Sequence, residues 1–91
     1  MWNLKQTTQF RKDYKKVQHN LARLRKLERV LTYLETTGTV PPSYEPHWLL
    51  GQYKGYMECH VENDFLLIWV DEDEKTICLV RLGSHSELFK K

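Results

Sequence analysis

Six consecutive apolar residues, Phe65-Leu66-Leu67-Ile68-Trp69-Val70, constrain this chain more than any other segment. Successive side chains of a strand point to opposite faces. A strand apolar at every position is therefore apolar on both faces and belongs at the centre of a sheet. Its neighbours supply the rest of that sheet. Tyr56 to Val61 reads as the preceding strand, with Glu62-Asn63-Asp64 as a polar turn between the two. Asp71-Glu72-Asp73-Glu74-Lys75 reads as a charged hairpin loop, and Thr76 to Leu82, rich in β-branched and aliphatic residues, as the following strand. Consecutive strands joined by short turns give an antiparallel meander.

The first half of the chain changes period. Trp2 to Gln6 suits a short first strand, and Thr7 or Thr8 can cap a helix by accepting a free amide of its first turn. Phe10, Tyr14 and Val17 step by four and three onto one helical face. His19-Asn20 breaks that helix, and Asn20 can cap the next. Leu21, Leu24, Leu27, Leu31 and Leu34 then form an apolar stripe that Val30 widens. Gly38 fits the left-handed position beyond a helix end. Residues 39–51 read as a loop, because Pro41, Pro42 and Pro46 disfavour regular structure. Ser86 to Phe89 reads as a short terminal helix. The expected fold is α+β, in the order β-α-α-β-β-β. A helical hairpin packs on an antiparallel sheet, with a short C-terminal helix, and residues 1–91 make one domain.

Composition removes several classes. No apolar run approaches the about 20 residues of a membrane span, so no membrane partner is expected. The residues from Met1 to Phe10 lack the apolar stretch of a secretory signal. Cys59 and Cys78 fall inside expected strands, do not form a disulfide framework, and suit a reducing cytoplasm. Charge is divided along the chain. From Phe10 to Arg29, eight Lys/Arg face only Asp13 and Glu28; from Met57 to Lys75, seven acids face Lys75 alone. A basic helical hairpin can hold phosphates or an acidic protein segment, or can be a solvated face.

Three of the four histidines, His47, His60 and His85, lie in the second half. The hairpin between the second and third expected strands brings His60 and Asp64 together. The fourth strand exits at the same end of the sheet, which carries Arg81 and His85 there, and the loop carrying His47 can reach it. Histidine exchanges protons near neutrality. Such a cluster in a small basic protein suits acid-base chemistry on a phosphodiester. Each residue has a structural alternative: His47 docking the proline loop, Asp64 as a turn residue, Arg81 paired with a neighbouring acid. A zinc site is a further reading, although no short ligand pair such as H-E-x-x-H is present. No phosphate-binding glycine loop and no nucleophile elbow occurs.

The segments His47-Trp48-Leu49, Tyr53-Lys54-Gly55-Tyr56, Cys59-His60-Val61-Glu62-Asn63-Asp64 and Val80-Arg81-Leu82-Gly83-Ser84-His85-Ser86-Glu87-Leu88-Phe89 together resemble the YafQ-like branch of the RelE/ParE toxin superfamily. Phe10 and Asp13 at the first helix fit as well. The resemblance implies a bacterial type II toxin that cuts messenger RNA on the 70S ribosome and is silenced by a cognate antitoxin protein. It implies His47, His60, Asp64 and His85 as catalytic residues and Phe89 as the terminal aromatic.

On this reading His85 is the general acid and His60 or His47 the general base, with Asp64 orienting its neighbour. Arg81, Lys54 and Phe89 contact substrate, Phe89 by stacking on a base. Lys12, Lys15, Lys16, Arg23, Lys26 and Arg29 are the expected contacts to ribosomal RNA. The expected products are a 2′,3′-cyclic phosphate and a 5′-hydroxyl, with no cofactor and no metal. A gyrase-poisoning relative of the ParE type, or a basic RNA-binding module without catalysis, are the competing readings. Codon preference and the antitoxin's identity are not written in the chain.

Overall fold

A computed structural model describes residues 1–89; Lys90 and Lys91 lie outside the described residues. The elements run β1 (Asn3–Gln6), α1 (Thr8–Val17), α2 (Leu21–Thr37), β2 (His47–Trp48), β3 (Met57–Glu62), β4 (Phe65–Asp73), β5 (Thr76–Gly83) and α3 (His85–Leu88). They form one sheet in the order β1-β5-β4-β3-β2. The meander β3-β4-β5 is antiparallel as expected. β1 adds a parallel edge beside β5, so the sheet is mixed.

The helix ends are set by the residues the sequence singles out. The Thr7 side chain accepts from the Phe10 amide, and that of Asn20 from the Arg23 amide. Gly38 closes α2 at φ 78°, a left-handed position that glycine occupies without strain. The buried face of α2 is Leu27, Val30 and Leu34. Leu21, counted in the apolar stripe, is the first residue of α2 and is 65% exposed. Phe10 and Val17 of α1 join that α2 face against Cys59, Val61, Phe65, Leu67, Trp69, Ile77, Leu79 and Leu82. Side chains on the other face, Leu66 and Ile68, meet Leu88 of α3, with Leu49, Tyr53, Tyr56, Val80 and Phe89 around them. The central strand is thus covered on both sides, as its six apolar residues require. Burying a Leu, Ile or Phe side chain stabilises by about 1.5–3 kcal/mol.

Two expectations fail locally. The 39–51 segment is not all loop. A 3-10 turn spans Pro42–Tyr44, and His47–Trp48 pairs antiparallel with Glu58 and Met57. The prolines stop at Pro46, and His47 after it keeps the backbone N–H that strand pairing needs. The acidic run after Val70 is also not all turn. β4 continues to Asp73, which pairs with Thr76, and Lys5 holds Glu72 at 2.9 Å. The turn is left to Glu74 and Lys75.

Candidate active site

Strand register lays the candidate residues in rows across the sheet. His47 on β2, Glu58 on β3, Ile68 on β4 and Arg81 on β5 are successive register partners. The next row holds His60, Leu66 and Gly83. Glu58 and His60 are two residues apart on one strand, so they share a face. It is the face that carries Leu66 and Ile68, opposite the helical hairpin. The histidines therefore meet on a sheet face rather than at a sheet end. Ring centroids lie 6.2 Å apart for His47 and His60, and 6.0 Å apart for His60 and His85. Phe89 follows at 6.2 Å from His85, and Tyr53 at 5.8 Å from Phe89, edge to face.

Each ring is held differently. Asp64 sits in the β3–β4 turn at φ 54°, a left-handed conformation that aspartate tolerates better than most side chains. From there its Oδ1 accepts both the His85 backbone amide and, at 2.9 Å, the His85 Nδ1. The backbone amide first, and the ring second, hold the Asp64 carboxyl below the usual carboxylate range. Because Nδ1 is engaged, the Nε2 of His85 is the nitrogen left for chemistry, and the side chain is 57% exposed. The Ser84 hydroxyl and the Glu87 carboxylate cap α3 reciprocally, which fixes where His85 begins the helix. His47 Nδ1 lies 2.9 Å from the Glu45 carbonyl, and its Nε2 lies 3.0 Å from Glu58 Oε1. His60 is the least committed ring: its Nε2 is 3.9 Å from the exposed Glu45 carboxylate, too far for a hydrogen bond.

Glu58 was not among the residues singled out from the sequence. It is 2% exposed, and its Oε2 has no hydrogen-bond partner. Its spacing of two from His60 was the available signal. Asp13 was noted only for its place in the first helix, but it is 4% exposed and accepts from Arg81 Nε at 2.9 Å and from the Leu82 amide at 2.9 Å. The Arg81 guanidinium is thus anchored by α1, not by an acid on a neighbouring strand. Its pKa is raised first by the Asp13 hydrogen bond, with a smaller contribution from the Tyr53 phenol.

The basic residues separate into two groups. Arg23 and Lys26 are both bound to Glu62, at 3.1 and 2.9 Å, and Arg23 also lies over the Phe65 ring. Those two charges tie α2 to β3, with their side chains 42% and 55% exposed. Lys12, Lys15, Lys16 and Arg29 are exposed on the hairpin, and Lys16 lies near Glu87 of α3, two residues from His85. Lys54 is exposed just after the 3-10 turn Gly51–Tyr53. Among the described residues no helix is long and apolar enough to cross a membrane. His47, Glu58 and His60 offer donor atoms that all lie within 4.8 Å of one another, so a metal ion, if held, would sit there and not at His60, Asp64 and His85.

A basic two-helix hairpin over a five-stranded sheet, with three imidazoles near carboxylates, two of them exposed and His60 half-buried, defines a small α+β protein. The family model described as "Bacterial toxin of type II toxin-antitoxin system, YafQ" matches residues 2–90. The mRNA interferase toxin YafQ of Escherichia coli K12 is 38% identical over 82 residues, which is 89% of this chain and 88% of that protein. Among solved structures, the metal-bound toxin from Helicobacter pylori has a TM-score of 0.84 and 39% identity, covering 98% of this chain and 100% of that one. A chain of the E. coli DinJ-YafQ complex has a TM-score of 0.83 and 34% identity, covering 98% and 99%. The chain belongs to the YafQ family of type II toxin–antitoxin toxins, the mRNA interferases.

Proposed function

We propose that this toxin cuts messenger RNA on the ribosome by attack of the RNA's own 2′-hydroxyl, and that a cognate antitoxin protein silences it. The observation that carries the reading is the Asp64–His85 pair beside His60. His85, oriented through Nδ1, presents Nε2 as the general acid that protonates the departing 5′-oxygen. Asp64, kept ionised, stabilises the imidazolium form of His85 before transfer. His60, with no hydrogen bond to its Nε2, is the better general base, since both nitrogens of His47 are engaged. Acid and base each contribute about 10²–10⁴-fold in rate. Asp13 occupies part of the Arg81 guanidinium, whose five N–H donors leave others for phosphate oxygens. Phe89, packed on Tyr53, gives a face for a splayed base, and Lys54 adds charge at the rim.

Lys12, Lys15, Lys16 and Arg29, exposed on the helical hairpin, with the ion-paired but partly exposed Arg23 and Lys26, suit contact with ribosomal RNA while the message occupies the histidine face. Such contacts weaken steeply with salt. The E. coli relative is solved in complex with DinJ, and a corresponding antitoxin is the expected partner here.

The metal-bound state of the H. pylori toxin makes metal-assisted cleavage the alternative. Cleavage of a translated message is assayed with a zinc-selective chelator that spares magnesium and so leaves ribosomes intact. The proposal expects full activity and products ending in 2′,3′-cyclic phosphate and 5′-hydroxyl. Loss of cleavage, restored by added zinc, would establish the alternative. Growth arrest with unbroken messages and inhibited gyrase would establish neither and return the gyrase-poison reading.

A further inference from the structure

A cleft of about 120 Å³ opens where the turn between the two long helices meets the end of β5. Its floor is apolar, made by the buried side chains of Val17, Phe65 and Leu82. Its rim is polar: Lys16 from α1, Asn20 and Arg23 from the start of α2, and Glu87 from α3. The cleft adjoins the histidine site. Phe65 follows Asp64 in the chain, and Glu87 stands two residues after His85. Charge decides what such a cleft can hold. Lys16 and Arg23 bring two positive charges, and Asp13 and Glu87 two negative ones. Arg23 is in addition paired with Glu62. The surroundings are close to neutral, so an isolated phosphate gains little there. A neutral ring that both donates and accepts hydrogen bonds gains more. The rim has such groups to spare. Asn20 Oδ1 accepts the Arg23 amide, which leaves Nδ2 to donate. Glu87 Oε1 accepts the Ser84 amide at 2.8 Å, which leaves Oε2 to accept. Lys16 has no ion-pair partner among the described residues. The Arg23 guanidinium stands 4.9 Å over the Phe65 ring, and unstacked bases pack on guanidinium planes of this kind.

We propose that this cleft takes one unstacked nucleobase of the message, flanking the bond that is cut, and that Lys16, Asn20 and Glu87 select it. This role rests on the proposed function and gives that nuclease a reader of sequence. The volume suits a single ring system, being well below the about 300–1,000 Å³ of a drug-sized site. Proteins read single-stranded RNA by stacking splayed bases and hydrogen-bonding their edges, and the cleft offers both. A strand held with its scissile phosphate at His85 brings a flanking nucleotide to Glu87. Lys16, alone among the exposed lysines of the helical hairpin, lines the cleft and can donate to that base.

Two substitutions invert one hydrogen-bonding group each and keep the helix caps. Asn20→Asp still accepts the Arg23 amide but presents an acceptor in place of Nδ2. Glu87→Gln still accepts the Ser84 amide but presents a donor in place of Oε2. Lys16→Met removes a donor outright. Ribosomes are programmed with messages randomised over one codon and its neighbours, and the cut ends are sequenced for wild type and for each variant, all folded by circular dichroism. At a single nucleotide position, the ratio of cutting between preferred and disfavoured bases should change by at least about fivefold in each variant. Lys12→Met, on the same helix as Lys16 but outside the cleft, should keep the wild-type profile. A wild-type profile in all three cleft variants overturns the site. So does a loss of preference at every position together, which marks a structural effect.

A second measurement needs no cleavage. The four nucleoside 5′-monophosphates and ribose 5-phosphate are titrated separately into the wild-type toxin and followed by amide NMR. The Asn20 side-chain amide and the Phe65 and Leu82 backbone amides should shift with nucleotides and not with ribose 5-phosphate. Equal shifts with ribose 5-phosphate, or none with any nucleotide, overturn the base site. A toxin that binds nucleotides in the cleft and leaves messages whole faults the proposed function and leaves the cleft standing.

Discussion

Replacing Asp13 by alanine removes the buried acid that ties α1 to β5. Asp13 accepts from the Leu82 amide at 2.9 Å, from Arg81 Nε at 2.9 Å and Nη2 at 3.4 Å, and from Gln9 at 3.3 Å. Leu82 is 3% exposed, so its amide loses its partner without water to replace it, at about 1–3 kcal/mol. Breaking a fully buried ion pair costs about 3–5 kcal/mol. The Arg81 side chain is 20% exposed and can partly rehydrate, so less than that full cost applies. Alanine's better helix propensity returns up to about 0.7 kcal/mol. The expected net loss for Asp13→Ala is about 3–4 kcal/mol. Asp13→Asn keeps an acceptor for the Leu82 amide and should lose about half as much. Urea unfolding followed by circular dichroism measures both. At a temperature where both variants are folded, cleavage should also fall, because Arg81 loses the anchor that sets its direction. An Asp13→Ala protein within about 1 kcal/mol of wild type would refute the account, since the unpaired Leu82 amide and the broken Arg81 pair together are expected to cost well above that.

Other consequences are simpler to check. Gly38→Ala forces a side chain onto a left-handed backbone and sets its Cβ 2.6 Å from the Trp2 ring; urea unfolding should show a loss of at least about 1–2 kcal/mol. The Asp64 carboxyl should titrate, by carbon NMR, below the usual value of about 3.9. Its folded pKa is lowered, so its contribution to stability is present above the unfolded value and is lost as pH falls through the folded one. In His85→Gln the backbone amide remains, so that midpoint should return only part of the way; a complete return would show that the ring alone held it. Burial pushes the Cys59 thiol up to about 12, and Cys78 upward as well. Cys59 should therefore resist alkylation at pH 8 until the protein unfolds, as mass spectrometry would show.

The helical half was legible because its signals are local. Thr7, Asn20 and Gly38 act on residues within one turn, and their caps sit where the chain predicts them. The apolar run at 65–70 demanded a central strand, and it has one. The site was legible in its members and not in its wiring. His47 lies in a segment whose prolines hide a two-residue strand, so its pairing with Glu58 could not be read. Without that pairing Glu58 looked like one acid in an acidic stretch. Arg81 and Asp13 stand 68 positions apart, and no periodicity reports such a contact. Arg23 and Lys26 read as free positive charge for RNA because Glu62, their common partner, lies on another element. Net charge along a segment cannot separate cations that are paired from cations that are available.

Mapping of transcript 5′ ends after brief expression of the toxin in a bacterial host, wild type beside His85→Ala, tests the central claim most directly. New 5′-hydroxyl ends inside translated regions, present with wild type and absent with His85→Ala, are the predicted result. Equal cutting by the two proteins would remove His85 and its Asp64 partner from the chemistry, and with them the proton-transfer account of the site.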